Sequence, residues 1–196
     1  MGKIIIALEG IDGAGKSSTI QFLVNKYKQN ITVYKRTQKS KLTDKFVSCD
    51  FMRKHYMLQV PVYIYLSHIN LLKSRLQSKN KKIIIMDRCF LSNICYFYPQ
   101  SLSSRKLFNL VMCFEPRFFP QKIFILDVTP SIAQVRDLYK KDLKWLIDTR
   151  TAYLSAQYSR ILQKYNIEVL NENLSIETKA KIISNYIREA IKNGNW

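Results

Sequence analysis

Glycine and proline are scarce in this 196-residue chain, five of each, which excludes collagen-like and low-complexity character. Cysteine is also sparse: Cys49, Cys89, Cys95 and Cys113 form no C-x-x-C pair, and His55 and His68 are the only histidines. That pattern argues against a zinc site or a disulfide framework. No apolar run approaches the roughly 20 residues of a membrane-spanning helix. The apolar stretch at residues 4–8 is too short for a signal peptide, so the sequence predicts a cytoplasmic protein with no membrane segment. Acidic residues are few as well, 14 against 32 Lys and Arg, leaving a formal charge of +18. Such a field draws anions, whether nucleic acid, an acidic membrane surface or phosphorylated small molecules, and composition does not choose among them. Some of the basic residues, such as Lys79, Lys81 and Lys82, are equally suited to solvating a loop.

What is present is a globular chain, 47% hydrophobic, long enough for one core. Residues 3–8 form a β-branched run suited to a strand buried on both faces. Residues 16–28 follow with apolar positions at Ile20, Leu23, Val24 and Tyr27, the spacing of a helix that packs one face on a sheet. Further strands are predicted over 31–34, 83–86, 123–128 and 167–170, and a helix over 61–76 with Pro61 in its first turn. Strands alternating with helices predict a doubly wound α/β fold with a mainly parallel sheet of about five strands, because parallel neighbours need crossover connections. No repeat or linker divides the chain, so residues 1–196 read as a single domain.

Between the first strand and its helix lies Gly10-Ile11-Asp12-Gly13-Ala14-Gly15-Lys16-Ser17, a full G-x-x-x-x-G-K-[ST] string in the context its mechanism requires. The glycines let backbone N–H groups turn inward around phosphate oxygens, and the helix beginning near Lys16 presents its positive end to the same anion. Lys16 is placed to reach the β- and γ-phosphates of a nucleotide and Ser17 to ligate Mg²⁺, with Ser18 following in the first helical turn, which leaves GTPase, motor, helicase and kinase open. A GTPase would carry an Asn-Lys-x-Asp base reader, and the nearest string, Asn80-Lys81-Lys82-Ile83, lacks the aspartate. The 83–86 strand ends in Asp87-Arg88, at the edge where open α/β sheets bind ligands. There Asp87 suits the magnesium shell and Arg88 a second phosphate, as phosphoryl transfer requires.

These residues resemble the thymidylate kinase family. The opening Leu8-Glu9-Gly10-Ile11-Asp12-Gly13-Ala14-Gly15-Lys16-Ser17-Ser18 is similar to that family's strand and P-loop. The segment from Asp87 to Tyr96 resembles its Asp-Arg-Tyr-x-x-Ser-x-x-Ala-Tyr-Gln, matching at Asp87, Arg88, Ser92 and Tyr96. Leu126-Asp127-Val128-Thr129-Pro130, with Ala133 and Arg136, resembles the approach to the family's lid, and Arg150-Thr151-Ala152-Tyr153-Leu154 the helix leaving it.

The resemblance implies a P-loop kinase domain with a short lid over about 136–149, passing the γ-phosphoryl group of ATP to dTMP or a related monophosphate, with Mg²⁺ as cofactor. It implies that Asp12 meets the acceptor deoxyribose and orders the phosphate-binding arginines, Arg88 and Arg36. Gly13 and Ala14 stand where some members carry a loop arginine, so Arg136, Lys140, Lys141 and Lys144 are the lid cations expected to supply that charge. Tyr63, with Tyr65 and His68, stands in the base-recognition stretch without the family's Ala-x-Arg, and Phe97 replaces the glutamine after Tyr96. A homodimer is implied too. Three alternatives stay open: a deoxynucleoside kinase using Glu9 or Asp87 as base, a nucleic-acid-binding ATP sensor, and a degenerate paralogue that binds ATP without transfer.

Overall fold

The computed structural model describes residues 3–35, 65, 68–70, 81–97, 105–113, 119–136 and 141–193. Five strands form one sheet: β1 (Ile4–Glu9), β2 (Ile31–Lys35), β3 (Ile83–Asp87), β4 (Lys122–Leu126) and β5 (Ile167–Leu170), in the order β2-β3-β1-β4-β5. Every pairing is parallel. The central strands are buried almost throughout, as a sheet covered on both faces requires, which explains their unbroken isoleucine-rich runs. Six α-helices have both bounds among the described residues: α1 (Lys16–Tyr27), α2 (Phe90–Phe97), α3 (Arg105–Cys113), α4 (Pro130–Arg136), α5 (Leu143–Ala156) and α6 (Ile176–Lys192). The predicted 61–76 helix lies mostly outside the described residues, although Tyr65 and 68–70 are helical.

Helix α1 packs on α6, where the Tyr27 hydroxyl lies 2.8 Å from Ser184 Oγ, while α5 packs on α2 and α4. Local chemistry sets the helix starts. Ser175 caps α6 by accepting the Thr178 N–H, Asp142 caps α5 by accepting that of Trp145, and Pro130 opens α4. Helix α1 differs: Gly15, in the left-handed region at φ 84°, caps it with no side-chain hydrogen bond, so its first N–H groups are left for another partner.

Strand β4 runs over Lys122–Leu126 rather than the expected 123–128. Its ladder with β1 stops at Glu9, because the next residue, Gly10, turns away at φ 131°. Asp127 still donates its N–H to Leu170 O, but its carboxylate accepts the Val128 N–H at 2.9 Å and bends the chain out of the sheet. The sequence order reverses around β1, so the loops after β1, β3 and β4 converge at one C-terminal edge, the crevice position of open parallel sheets.

Candidate active site

The loop after β1 wraps a cavity of about 640 Å³ bordered by Asp12, Lys16, Ser17, Ser18, Asp87 and Arg136. Gly13, Gly15, Arg88 and Ile176 complete its wall. A smaller cavity, about 310 Å³ beside Gln121 and Tyr186, holds none of the predicted site residues. Gly13, at φ 83°, lets the loop lie directly on α4, since a Cβ there would come within 2.5 Å of Ala133 O.

Lys16 is buried, and its ammonium donates to two carbonyls of its own loop, Gly10 O at 2.9 Å and Ile11 O at 2.8 Å. Burial, followed by the Arg88 charge, pushes its pKa down to about 7 against the opposing pull of Asp12, Asp87 and Glu9. Ser17 and Ser18 are exposed to the cavity, whereas the Thr19 hydroxyl donates to Gly15 O at 3.0 Å.

Arg88 follows β3 in the left-handed region, φ 72°, a strained conformation for a residue with a Cβ. Two contacts hold that turn: Arg88 N–H donates to Leu8 O at 3.1 Å and Cys89 N–H to Glu9 Oε1 at 2.7 Å. Glu9 is fully buried, and its second oxygen accepts from the Ser92 hydroxyl at 2.6 Å and the Tyr153 hydroxyl at 3.0 Å. The Arg88 guanidinium donates through Nη1 to Gly10 O at 3.1 Å and to the Ser92 and Tyr153 hydroxyls, pairs through Nη2 with Asp12, and lies 5.0 Å from the Tyr96 ring centre. The Tyr96 hydroxyl is buried and makes no hydrogen bond among the described residues. Burial pushes its pKa up, the Arg88 charge opposing.

Asp12 joins two cations. Its Oδ1 pairs with Arg88 and its Oδ2 with Lys141, which arrives from the start of α5. Burial works against the carboxylate, but Arg88, Lys141 and Lys16 hold it well below the usual carboxylate range. Beside this cluster a second ion group braces the edge. Arg150 donates to both Asp127 oxygens at 2.7 and 2.8 Å and to Glu172 at 3.1 Å, and the buried Lys179 donates to Asp127 O at 2.8 Å.

The predicted residues 10–18, with Asp87, Arg88, Ser92, Tyr96, Arg136 and Lys141, thus meet at one edge of the sheet. Lys144 is exposed on α5, and residues 143–149 of the expected lid form the first half of that helix. Arg36, Tyr63 and Lys140 lie outside the described residues. Sequence reasoning missed Glu9 as an anchor and Trp145 as the ring that packs on Tyr96 and Lys141. Tyr153 lies in the 150–154 segment that resembles the family, but its partners are far away in sequence.

The fit to Mg²⁺ can be judged from the side chains. The Ser17 hydroxyl and Asp87 carboxylate border one cavity, and neither makes a hydrogen bond among the described residues. One or two protein oxygens plus substrate phosphates is the usual ligand set for this ion, so the pair fits.

A family model described as thymidylate kinase matches residues 8–183. A thymidylate kinase from Nautilia profundicola is 27% identical over 196 residues, covering 93% of this chain and 97% of its own. One from Campylobacter lari is 27% identical over 205 residues, covering 94% and 99%. Among solved structures, a thymidylate kinase from Ehrlichia chaffeensis superposes with a TM-score of 0.68 at 19% identity, over 95% of this chain and all of that one.

Proposed function

We propose how this chain works from one premise: it belongs to the thymidylate kinase family, and it is an ATP-dependent phosphotransferase passing the γ-phosphoryl group of ATP to dTMP. The observation that carries the residue-level reading is Asp12, which ties a guanidinium and a lid ammonium together at the mouth of the phosphate loop.

The donor polyphosphate occupies the loop, where the uncapped N–H groups of α1 and the Lys16 ammonium receive it. Lys16 exchanges its two carbonyl partners for phosphate oxygens. Ser17 and Asp87 would hold Mg²⁺, which would supply neutralising charge to the phosphoryl oxygens. Arg88 presents its guanidinium to the acceptor phosphate, and Asp12 fixes the plane of that group. The Asp12 carboxylate has lone pairs beyond those its two cations use, which leaves room for a hydroxyl of the acceptor sugar. Tyr96 and Ser92 form the floor beneath the acceptor, and the unpartnered Tyr96 hydroxyl is a polar group that a bound nucleotide can satisfy. Lys141 and Arg136 bring positive charge from the lid side to the oxygens that gain charge during transfer. Roles for Arg36, Tyr63 and Lys140 rest on the family resemblance alone. The same resemblance supports a single kinase domain with a lid, a homodimer and a cytoplasmic location. Among the described residues no helix is long and apolar enough to cross a membrane.

Catalysis on this reading is positioning and charge neutralisation, with no covalent enzyme intermediate. Glu9 is an anchor and not a base, since it is buried under three donors. The test is coupled ADP release with ATP·Mg²⁺ against dTMP, dUMP, dCMP, UMP, CMP and thymidine. We expect turnover with dTMP, and a loss of about 100-fold or more in Lys16→Ala with the circular dichroism unchanged. Retained activity in that variant overturns the site, and turnover with thymidine instead of dTMP overturns the acceptor.

A further inference from the structure

We propose that Trp145 is a positioning residue for phosphoryl transfer: its indole face seats the Lys141 ammonium against Asp12, where the donor and acceptor phosphates meet. The inference rests on the functional reading above and adds a residue that neither spacing nor resemblance singled out.

Lysine is a compact charge on a flexible four-carbon stem, with no planar fork to fix its direction. Lys141 nonetheless has a defined place. Its main-chain O accepts from Gln134 Nε2 at 3.0 Å, tying it to α4. Its ammonium pairs with Asp12, lies 4.4 Å from the Trp145 ring centre and 5.7 Å from that of Tyr96. An ammonium over an indole face is the strongest of the common cation–π arrangements.

Trp145 is held independently of Lys141. Its N–H is the group capped by Asp142, at 3.0 Å, so the first turn of α5 fixes its backbone. Its ring packs on Tyr96, with centres 5.2 Å apart and planes 34° apart, and Tyr96 in turn faces Arg88. One aromatic pair therefore sets the spacing of both cations that flank Asp12. Asp12 supplies one negative charge to two positive ones, which leaves a net positive point for an incoming phosphate. Lys141 is 31% exposed, so without the indole its ammonium is free to turn into water.

The test compares Trp145→Leu, Trp145→Phe, Lys141→Met and the Leu/Met double variant, with Trp196→Phe added throughout so that Trp145 is the sole tryptophan where it is kept. Steady-state kinetics and tryptophan emission are read together. We expect Lys141→Met to lower kcat by about tenfold or more, and Trp145→Leu by a similar factor, with the KM for ATP moving less than about twofold. The double variant should be no slower than Lys141→Met, and Trp145→Phe, which keeps an aromatic face, should recover most of the rate. Trp145 emission should change in Lys141→Met, because the cation on its face is gone. Wild-type kcat in Trp145→Leu, or single-variant losses that multiply in the double, would overturn the proposal. Should the Leu variant fail to fold, the Phe variant and the emission of Lys141→Met decide, and unchanged emission overturns it. Failure of the functional reading looks different: wild type silent on every monophosphate while emission still reports the contact, in which case the role in transfer falls with that reading.

Discussion

Lys16 is held by two carbonyls rather than by a carboxylate, and with its pKa pushed down to about 7 it is mostly neutral in mildly alkaline solution. A polyphosphate beside it favours the charged form. Binding of ATP at about pH 8 should therefore take up close to one proton, seen as a calorimetric heat that varies with the ionisation enthalpy of the buffer. Lys16→Met should abolish that variation, and a heat independent of buffer in the wild type would contradict the assignment. The sign carries to stability as well. Between about 7 and the ordinary 10.5 the unfolded chain binds more protons at this lysine than the folded one, so Lys16 makes stability rise with pH across that window. At this scale the sequence was readable where chemistry is consecutive. Gly10 through Ser17 announce a phosphate loop because their mechanism is local. The Glu9 contacts with Cys89, Ser92 and Tyr153 span 80, 83 and 144 residues, and no spacing along the chain encodes them.

Helix α4 and the phosphate loop are seated on each other through Gly13, so the seven residues of α4 act as part of the site wall. Gly13→Ala would force a left-handed alanine and drive its Cβ into Ala133 O. We expect a loss of about 1–3 kcal/mol, with the Tm falling by roughly 2–4 °C for each, and weaker ATP affinity. Thermal unfolding with and without ATP measures both, and a variant that melts and binds as the wild type does would show that the close approach is not held. The strands were legible as elements because each is a run of β-branched residues bounded by a change in pattern. Their ends were less so, as β4 shows. Its hydrophobic pattern continues to Val128, while the ladder ends at Leu126 because Gly10 departs and Asp127 turns to accept its neighbour's N–H. Trp145 illustrates the other limit. On the helix its spacing reads as packing. Lys141 stands just before the same helix, and it is the arrival of Tyr96 and Asp12 from separate elements that gives the local pair a second meaning.

Across the whole molecule, the excess of 18 positive charges surrounds substrates that are both multiply anionic. The field should act on encounter more than on chemistry, because the cations around the cavity are already in place. Raising ionic strength from about 50 to about 300 mM should lower kcat/KM for dTMP several-fold while kcat changes little. A kcat/KM indifferent to salt would assign the charge to something other than substrate capture. The parallel sheet has a further consequence, for the order of assembly. Its central strand β1 pairs with residues 83–87 on one side and 122–125 on the other, and Asp12 meets a lysine 129 positions later. A ribosome releases the phosphate loop early and its partners late. The nascent chain thus carries a nucleotide-binding signature through most of its synthesis with no walls around it. Lys16, Asp87 and Arg88 emerge in the first half, and the lid-side cations Arg136 and Lys141 join them only once the final third of the chain is being made.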